Sequence, residues 1–335
     1  WLTLMAVTLG FCVIRSLGVG GWFPWLHEIV PVHKRGLYFS AETIVVQTVS
    51  VVFAMVTGLF LSAHAPVWKF LALYGFGIAV GMATLYVVFR MPGGEAVPCP
   101  PGGLDFTKAY GRALGDRTFL RFCLLGAVGG VCVSFLVASG ILYLRDALGF
   151  SARVIMLASA AGSLGVALTV GSWGRFADRH GSGQAMSLTL TGHSLSALGW
   201  LLLVPQASWT AWLAWPVFIS GAVFAASYAA ALNRGMLCRI SKEHSVAYSN
   251  LFVIAQALAM GVTPILAGWM ITRWDLIGFK GCFTISGFLG LILALRQLRL
   301  REEGTPVVSE ISILTRPTQP FRTLARILWI TVGLR

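Results

Sequence analysis

Apolar residues in this chain come in long unbroken runs, and the polar residues gather in short stretches between them, many containing Gly, Pro or a basic side chain. Runs of about 20 apolar residues predict helices that cross a bilayer, because lipid leaves any open-edged or irregular backbone without hydrogen-bond partners. Nine spans are expected, at 2–26, 38–62, 67–90, 119–144, 154–173, 185–204, 209–232, 247–272 and 279–298. Residues 62–67 and 205–208 are short enough for hairpin turns. Residues 33–36, 174–183 and 234–245 are expected as polar, basic connectors. The fold class is therefore all-α and polytopic.

Composition narrows the function classes. The chain is 57% hydrophobic and 11% charged, which excludes an ordinary soluble domain, with about 25% charged residues, and excludes disorder, which needs low hydrophobicity. The net charge of +13 could suggest nucleic acid, but its distribution argues otherwise. Of 25 Lys and Arg, 19 fall in alternate connectors and the tail, and Lys69, Arg145, Arg153, Arg273 and Lys280 fall on the other side. Cytoplasmic loops carry such an excess, so the surplus is a topology signal. It places the C-terminus in the cytoplasm, Trp1 outside and the protein in the cell (inner) membrane, with the lipid bilayer as partner and no nucleic acid.

The six cysteines form no CxxC pair, and no His-rich segment accompanies them, so neither metal nor cofactor is expected. No Gly-x4-Gly-Lys phosphate loop is present. The 12 acids are scattered singly apart from Glu302 and Glu303, which counts against a membrane transferase needing clustered acid and base groups.

Two segments repeat a pattern. Phe39-Ser40 is followed by Gln47, and Tyr248-Ser249 by Gln256, each Gln seven residues past its Ser, each opening a span after a basic connector. Parallel repeats of six spans are a known transporter plan. The stretch Gly174-Arg175-Phe176-Ala177-Asp178-Arg179-His180-Gly181 resembles the Gly-x-x-x-Asp-Arg-x-Gly signature of the major facilitator superfamily. Gly174 and Gly181 suit a tight turn, while Asp178 suits a helix N-terminal cap or a pair with Arg179 or with an Arg from another helix. The stretch from Pro31 to Gly36 resembles that family's Pro-x-x-x-Arg-Gly loop. The register is that of spans four to twelve, and Trp1 opens directly on an apolar run, so a chain lacking its first three spans is expected. Two departures limit the match: Arg15 lacks the following Gln-Gly of proton-coupled members, and residues 38–62 contain no Pro, unlike drug antiporters.

The resemblance implies a two-bundle fold with nine of twelve helices present. Residues 1–90 would form a partial N-terminal bundle, 91–118 a cytoplasmic linker, 119–300 a six-helix bundle and 301–335 a basic tail, with an interfacial helix at 321–334. It implies a monomeric secondary transporter that moves a small solute by alternating access, driven by a coupling proton, Na+ or the solute gradient. The substrate and coupling candidates are Arg15, Glu42, Gln47, Ser134, Tyr143, Tyr228, Asn250 and Gln256, and the conformational-gate loop is Gly174, Asp178, Arg179 and Gly181. A charge as deep as Arg15 needs a partner or a wet cavity, and buried amides such as Gln47 and Gln256 serve solute recognition or interhelical bonds. His193 is expected to be packed and hydrogen-bonded. The competing readings are a non-transporting sensor or scaffold and, further off, a membrane transferase.

Overall fold

The computed structural model describes residues 21–60, 66–90, 106–205, 207–240 and 244–300. The expected spans become helices. After a helical end at 21–29 and a single 3-10 turn at Val32–Lys34, the chain forms α1 Arg35–Phe60, α2 Val67–Phe89 and the short α3 Phe106–Gly115. Then come α4 Arg117–Leu142, α5 Ala152–His180, α6 Ser182–Gly199, α7 Thr210–Arg239, α8 Ser245–Trp274 and α9 Leu276–Gln297. Seven helices among the described residues are long and apolar enough to cross a membrane. The first expected span and the tail helix at 321–334 lie mostly or wholly outside the described residues, and so does Arg15.

Helix boundaries follow local chemistry. Asp116 caps α4 by accepting from the backbone of Thr118 and Phe119 at 3.0 Å each, which satisfies two of the otherwise unpaired first-turn donors. Ser151 does the same for α5 through Val154. α4 ends in a wider π-type turn over Tyr143–Ala147. α5 and α6 are separated only by Gly181, whose φ of 89° favours glycine. The polar stretch 174–180, expected as a connector, is instead the last two turns of α5. Likewise α7 runs on to Arg239, so Arg234 lies in a helix and not in a loop. Both extensions hold because the charged residues that end the apolar runs find partners on neighbouring helices.

α4 packs on α8 and α9, α9 on α6, α6 on α7 and α7 on α5, and α1 lies along α5. Close approach comes from small residues: a Cβ at Gly192 would strike the Phe224 ring, and one at Gly287 the Leu198 side chain. The outer surface is apolar instead of charged, with Ile78, Leu258, Ile265 and Leu295 exposed. Contiguous apolar surface of that kind requires a covering, and lipid supplies it. α3 is amphipathic and docks by polar contacts on the start of α8, through Tyr110 to Asn250 and Arg112 to His244.

Candidate functional site

The basic end of the α1–α5 contact is built from a helix N-terminus. The first backbone N–H groups of α1 have no partner inside their own helix. Asp178, near the end of α5, supplies both: Oδ1 accepts from Gly36 N at 2.8 Å and Oδ2 from Leu37 N at 2.9 Å. A carboxylate here also meets the positive end of the helix dipole. Oδ1 accepts a third bond from Arg234 Nε of α7 at 2.8 Å, an ion pair whose side chains are 4% and 11% exposed. Arg234 Nη1 donates onward to Ser182 Oγ, the first residue of α6, at 2.6 Å. One carboxylate and one guanidinium thus join four helices.

The reciprocal end is satisfied in the same way. Arg35 is buried, and its Nη1 donates to the Leu237 carbonyl at 2.6 Å. That carbonyl belongs to the last turn of α7, where acceptors lack intrahelical donors and the dipole favours a cation. His27 Nδ1 lies 3.0 Å from the same oxygen, and Arg35 Nε donates to Val30 O at 3.3 Å. α1 and α7 are therefore tied by complementary charges at both of their facing termini.

The seam is tight enough to need glycine. A Cβ on Gly174 would strike the Gly36 carbonyl and the Ser40 hydroxyl, and a Cβ on Gly36 would strike the Gly174 carbonyl. One turn deeper Ser40 Oγ donates to Val170 O at 2.9 Å. Further along, α1 and α5 part. There they enclose a cleft of about 700 Å3, lined by Ser50, Val51 and Met55 of α1 and by residues of α5 that include Arg153, Ser159 and Ser163. A volume of this order holds a small molecule.

The residues expected to form a gate are placed as follows. Asp178 both caps a helix and pairs with an arginine, but the partner is Arg234; Arg179 is exposed. Gly174 serves helix contact and not a turn, while Gly181 forms the turn. Of the solute candidates, Glu42 is exposed and Gln47 half-buried on α1. Tyr228 is buried in α7, where its hydroxyl accepts from Gln297 Nε2 at 2.9 Å. Gln256 lies against Gly126 and Gly130 of α4, and Tyr228 and Gln297 against Gly129. These three polar residues from α7, α8 and α9 therefore converge on one glycine-rich stretch of α4. The remaining candidates lie apart: Ser134 is buried in α4, Tyr143 donates to Leu203 O, and Asn250 donates to Tyr110 Oη of α3.

The repeated Ser positions are alike in burial, since Ser40 and Ser249 are both fully buried near helix starts. Only Ser40 bonds across to another helix; Ser249 donates within its own, to Ser245 O. Sequence reasoning missed Arg35, Arg234, Ser182 and Gln297 as partners. Arg234 had served only to set topology and Arg35 to set topology and to match the Pro-x-x-x-Arg-Gly loop, although a cation within two turns of an apolar run signals a buried pair as well as a loop.

A solved structure described as a bacterial homologue of the iron transporter ferroportin in the outward-facing state is similar in fold, with a TM-score of 0.62 at 11% identity. The likeness covers 81% of this chain and 66% of that one. A search of curated proteins finds no match. Residues 133–334 match the family model of the Major Facilitator Superfamily. That match extends over more than half of the chain, across α4 to α9 and beyond, and together with the apolar helices it makes this an integral membrane protein that belongs to the Major Facilitator Superfamily of membrane transporters.

Proposed function

We propose that this chain is part of a secondary transporter that works by alternating access, in a state closed at its basic end and open at the other. The observation that carries this reading is the asymmetry of the α1–α5 contact. At one end Asp178, Arg234 and the Gly36–Gly174 seam hold the helices together, and at the other end the same helices enclose a cleft. Rocking one bundle against the other exchanges which end is sealed. Residues 1–90 would contribute the partial first bundle, 91–118 the linker, 119–300 the second bundle and 301–335 a basic tail.

The basic end faces the cytoplasm of the cell membrane in this reading, in keeping with the Lys and Arg distribution. The outward-facing state named for the ferroportin homologue has the same sense. Iron is not carried over from that neighbour, because a likeness at 11% identity speaks to fold alone. The cargo is a small solute, coupled to a proton, to Na+ or to its own gradient, and the functional unit is a monomer. Gln256, which meets the glycine-rich stretch of α4 together with Tyr228 of α7 and Gln297 of α9, is the best-supported polar group for sensing solute or relaying the bundle movement; Arg15, Glu42, Gln47, Ser134, Tyr143 and Asn250 complete the list.

The test is solute counterflow in proteoliposomes, screened over a panel of labelled anions, cations and neutral solutes. Saturable uptake is expected for one class, reduced at least tenfold by Gln256→Ala and by Arg15→Ala. Uptake unchanged in both variants would overturn the site assignment, and no saturable uptake across the panel would overturn the transporter reading for this chain.

A further inference from the structure

Arg153 is a cation that the helix contacts leave unanswered. It occupies the second position of α5, where the positive end of the helix dipole already lies, so a cation there costs stability unless an anion meets it. It also lies at the less basic end of the molecule, against the prevailing distribution of Lys and Arg. Arg145, close to it in the chain, is paired with Asp146, and Arg35 and Arg234 are held by the contacts described above. Arg153 is exposed and makes no ion pair or side-chain hydrogen bond among the described residues.

This arginine stands at one end of the α1–α5 cleft. Met156, Ala160 and Ser163 follow it at helical spacing, so the wall that α5 supplies is a strip about 15 Å long from Arg153 to Ser163. The middle of the cleft is apolar, with Val51 and Met55 of α1 lining it beside Met156, and methionine side chains adapt to bodies of different shape. At the deeper end the hydroxyls of Ser50 and Ser163 have no hydrogen bond among the described residues. No acidic side chain among the described residues lines the cleft.

One cation at the mouth, an apolar middle and no acid select the occupant by exclusion. A cationic solute meets like charge, and a neutral one leaves the guanidinium unanswered. A small inorganic anion answers it but leaves the apolar wall in water. The planar guanidinium matches a carboxylate through two parallel bonds. We infer that the cleft binds an elongated organic anion, its carboxylate held by Arg153 and its apolar body laid along α5, with Ser50 and Ser163 left to meet a polar group at the far end. As a statement of cargo this rests on the transport reading above; as a binding site it stands on the cleft alone.

Equilibrium binding by fluorine NMR, with the protein in zwitterionic nanodiscs and matched empty nanodiscs to correct for partitioning, needs neither gradient nor uptake. A chain that does not transport can therefore still bind, and a transporter of another solute class would fail here alone. Saturable binding of 4-(4-fluorophenyl)butyrate is expected, about tenfold tighter than the matching alcohol, as a charge-assisted hydrogen bond implies. The matching ammonium, and trifluoroacetate with its carboxylate but no apolar body, should bind more weakly than either. Arg153→Gln should bring the carboxylate down to the affinity of the alcohol, and Arg153→Lys should keep a preference for the carboxylate. In a background without the native cysteines, Ala160→Cys should react with a membrane-impermeant maleimide about tenfold more slowly at a carboxylate concentration about ten times its Kd. The ammonium should give no such protection. Equal affinity of carboxylate and alcohol in the unmodified protein would overturn the anion site, whether or not any variant folds. A preference that survives Arg153→Gln, or no protection of Ala160→Cys, would place the binding elsewhere and overturn the cleft. Binding abolished by adding phosphatidylglycerol to the nanodiscs would assign the cleft to a lipid head group and overturn the soluble organic anion.

Discussion

Asp178 and Arg234 form a pair whose removal costs more than its presence gains. Burying both charges is expensive, so the pair adds little beyond what well-packed apolar residues would supply, but deleting one partner strands the other. Arg234→Ala leaves the Asp178 carboxylate with only the two backbone donors of α1, and Asp178→Asn leaves the guanidinium with Ser182 and an amide. Each is expected to destabilise by about 3 kcal/mol, and the double variant by clearly less than the two together, because neither charge is then stranded. Thermal unfolding of the four proteins in one detergent measures the coupling. Strict additivity would show that the pair contributes no mutual energy. Arg234→Lys should recover only part of the loss, since an ammonium cannot span Asp178 and Ser182 with the fixed fork that Arg uses.

At the scale of elements, α3 is a short helix fastened to α8 by polar contacts as well as by Ala113, which is fully buried, and by Ala109 and Tyr110 beside it. Arg112 Nη1 lies 2.7 Å from His244 Nε2, Tyr248 Oη donates to Asp116 Oδ2 at 3.2 Å, and Asn250 Nδ2 donates to Tyr110 Oη at 3.0 Å. Few buried contacts and side-chain bonds near solvent mean a low local opening energy. Replacing both Asn250 and His244 by Ala removes the bonds to Tyr110 and Arg112, at about 1 kcal/mol each. Hydrogen exchange over Phe106–Gly115 should then quicken by about tenfold or more, with α4 to α9 unchanged; exchange that rises equally throughout would mean that α3 is part of the bundle core. The apolar runs foretold the long helices well, because a bilayer fixes both length and composition. They misjudged where α5 and α7 end, since a polar residue read along the chain looks like a loop, whereas Asp178 and Arg234 are polar inside helices because each is answered by the other. The depth of Asn250 along α8 was legible, but its neighbour Tyr110 was not, because it comes from a helix 140 residues earlier. His193 was expected to be packed and hydrogen-bonded, and it is fully buried with Nδ1 3.3 Å from the Gly221 carbonyl oxygen.

For the whole molecule, the decisive feature is that α1 and α5 touch at one end and separate at the other along the same helix face. Ser163 and Val170 of α5 are seven residues apart, two helical turns on one side. Ser163 lines the cleft, whereas Val170 is fully buried in the closed region where its carbonyl accepts from Ser40. Cysteine introduced at either position, in a background with the six native cysteines replaced, therefore reports one end of the rocking motion proposed above. Ser163→Cys is expected to react quickly with a membrane-impermeant maleimide and Val170→Cys hardly at all. Gly174→Ala adds a methyl group that must strike the Gly36 carbonyl, and backbone at that seam cannot turn aside as a side chain could. Relief comes only by parting α1 from α5 at the basic end. If the two helices move as members of rigid bundles, opening one end narrows the other. The Gly174→Ala background should raise labelling of Val170→Cys about tenfold and slow labelling of Ser163→Cys by a similar factor, an opposite response that expresses a population shift of roughly 1.4 kcal/mol. Labelling that rises at Val170→Cys with no change at Ser163→Cys would mean that the seam frays locally, and alternating access through the α1–α5 contact would have to be given up.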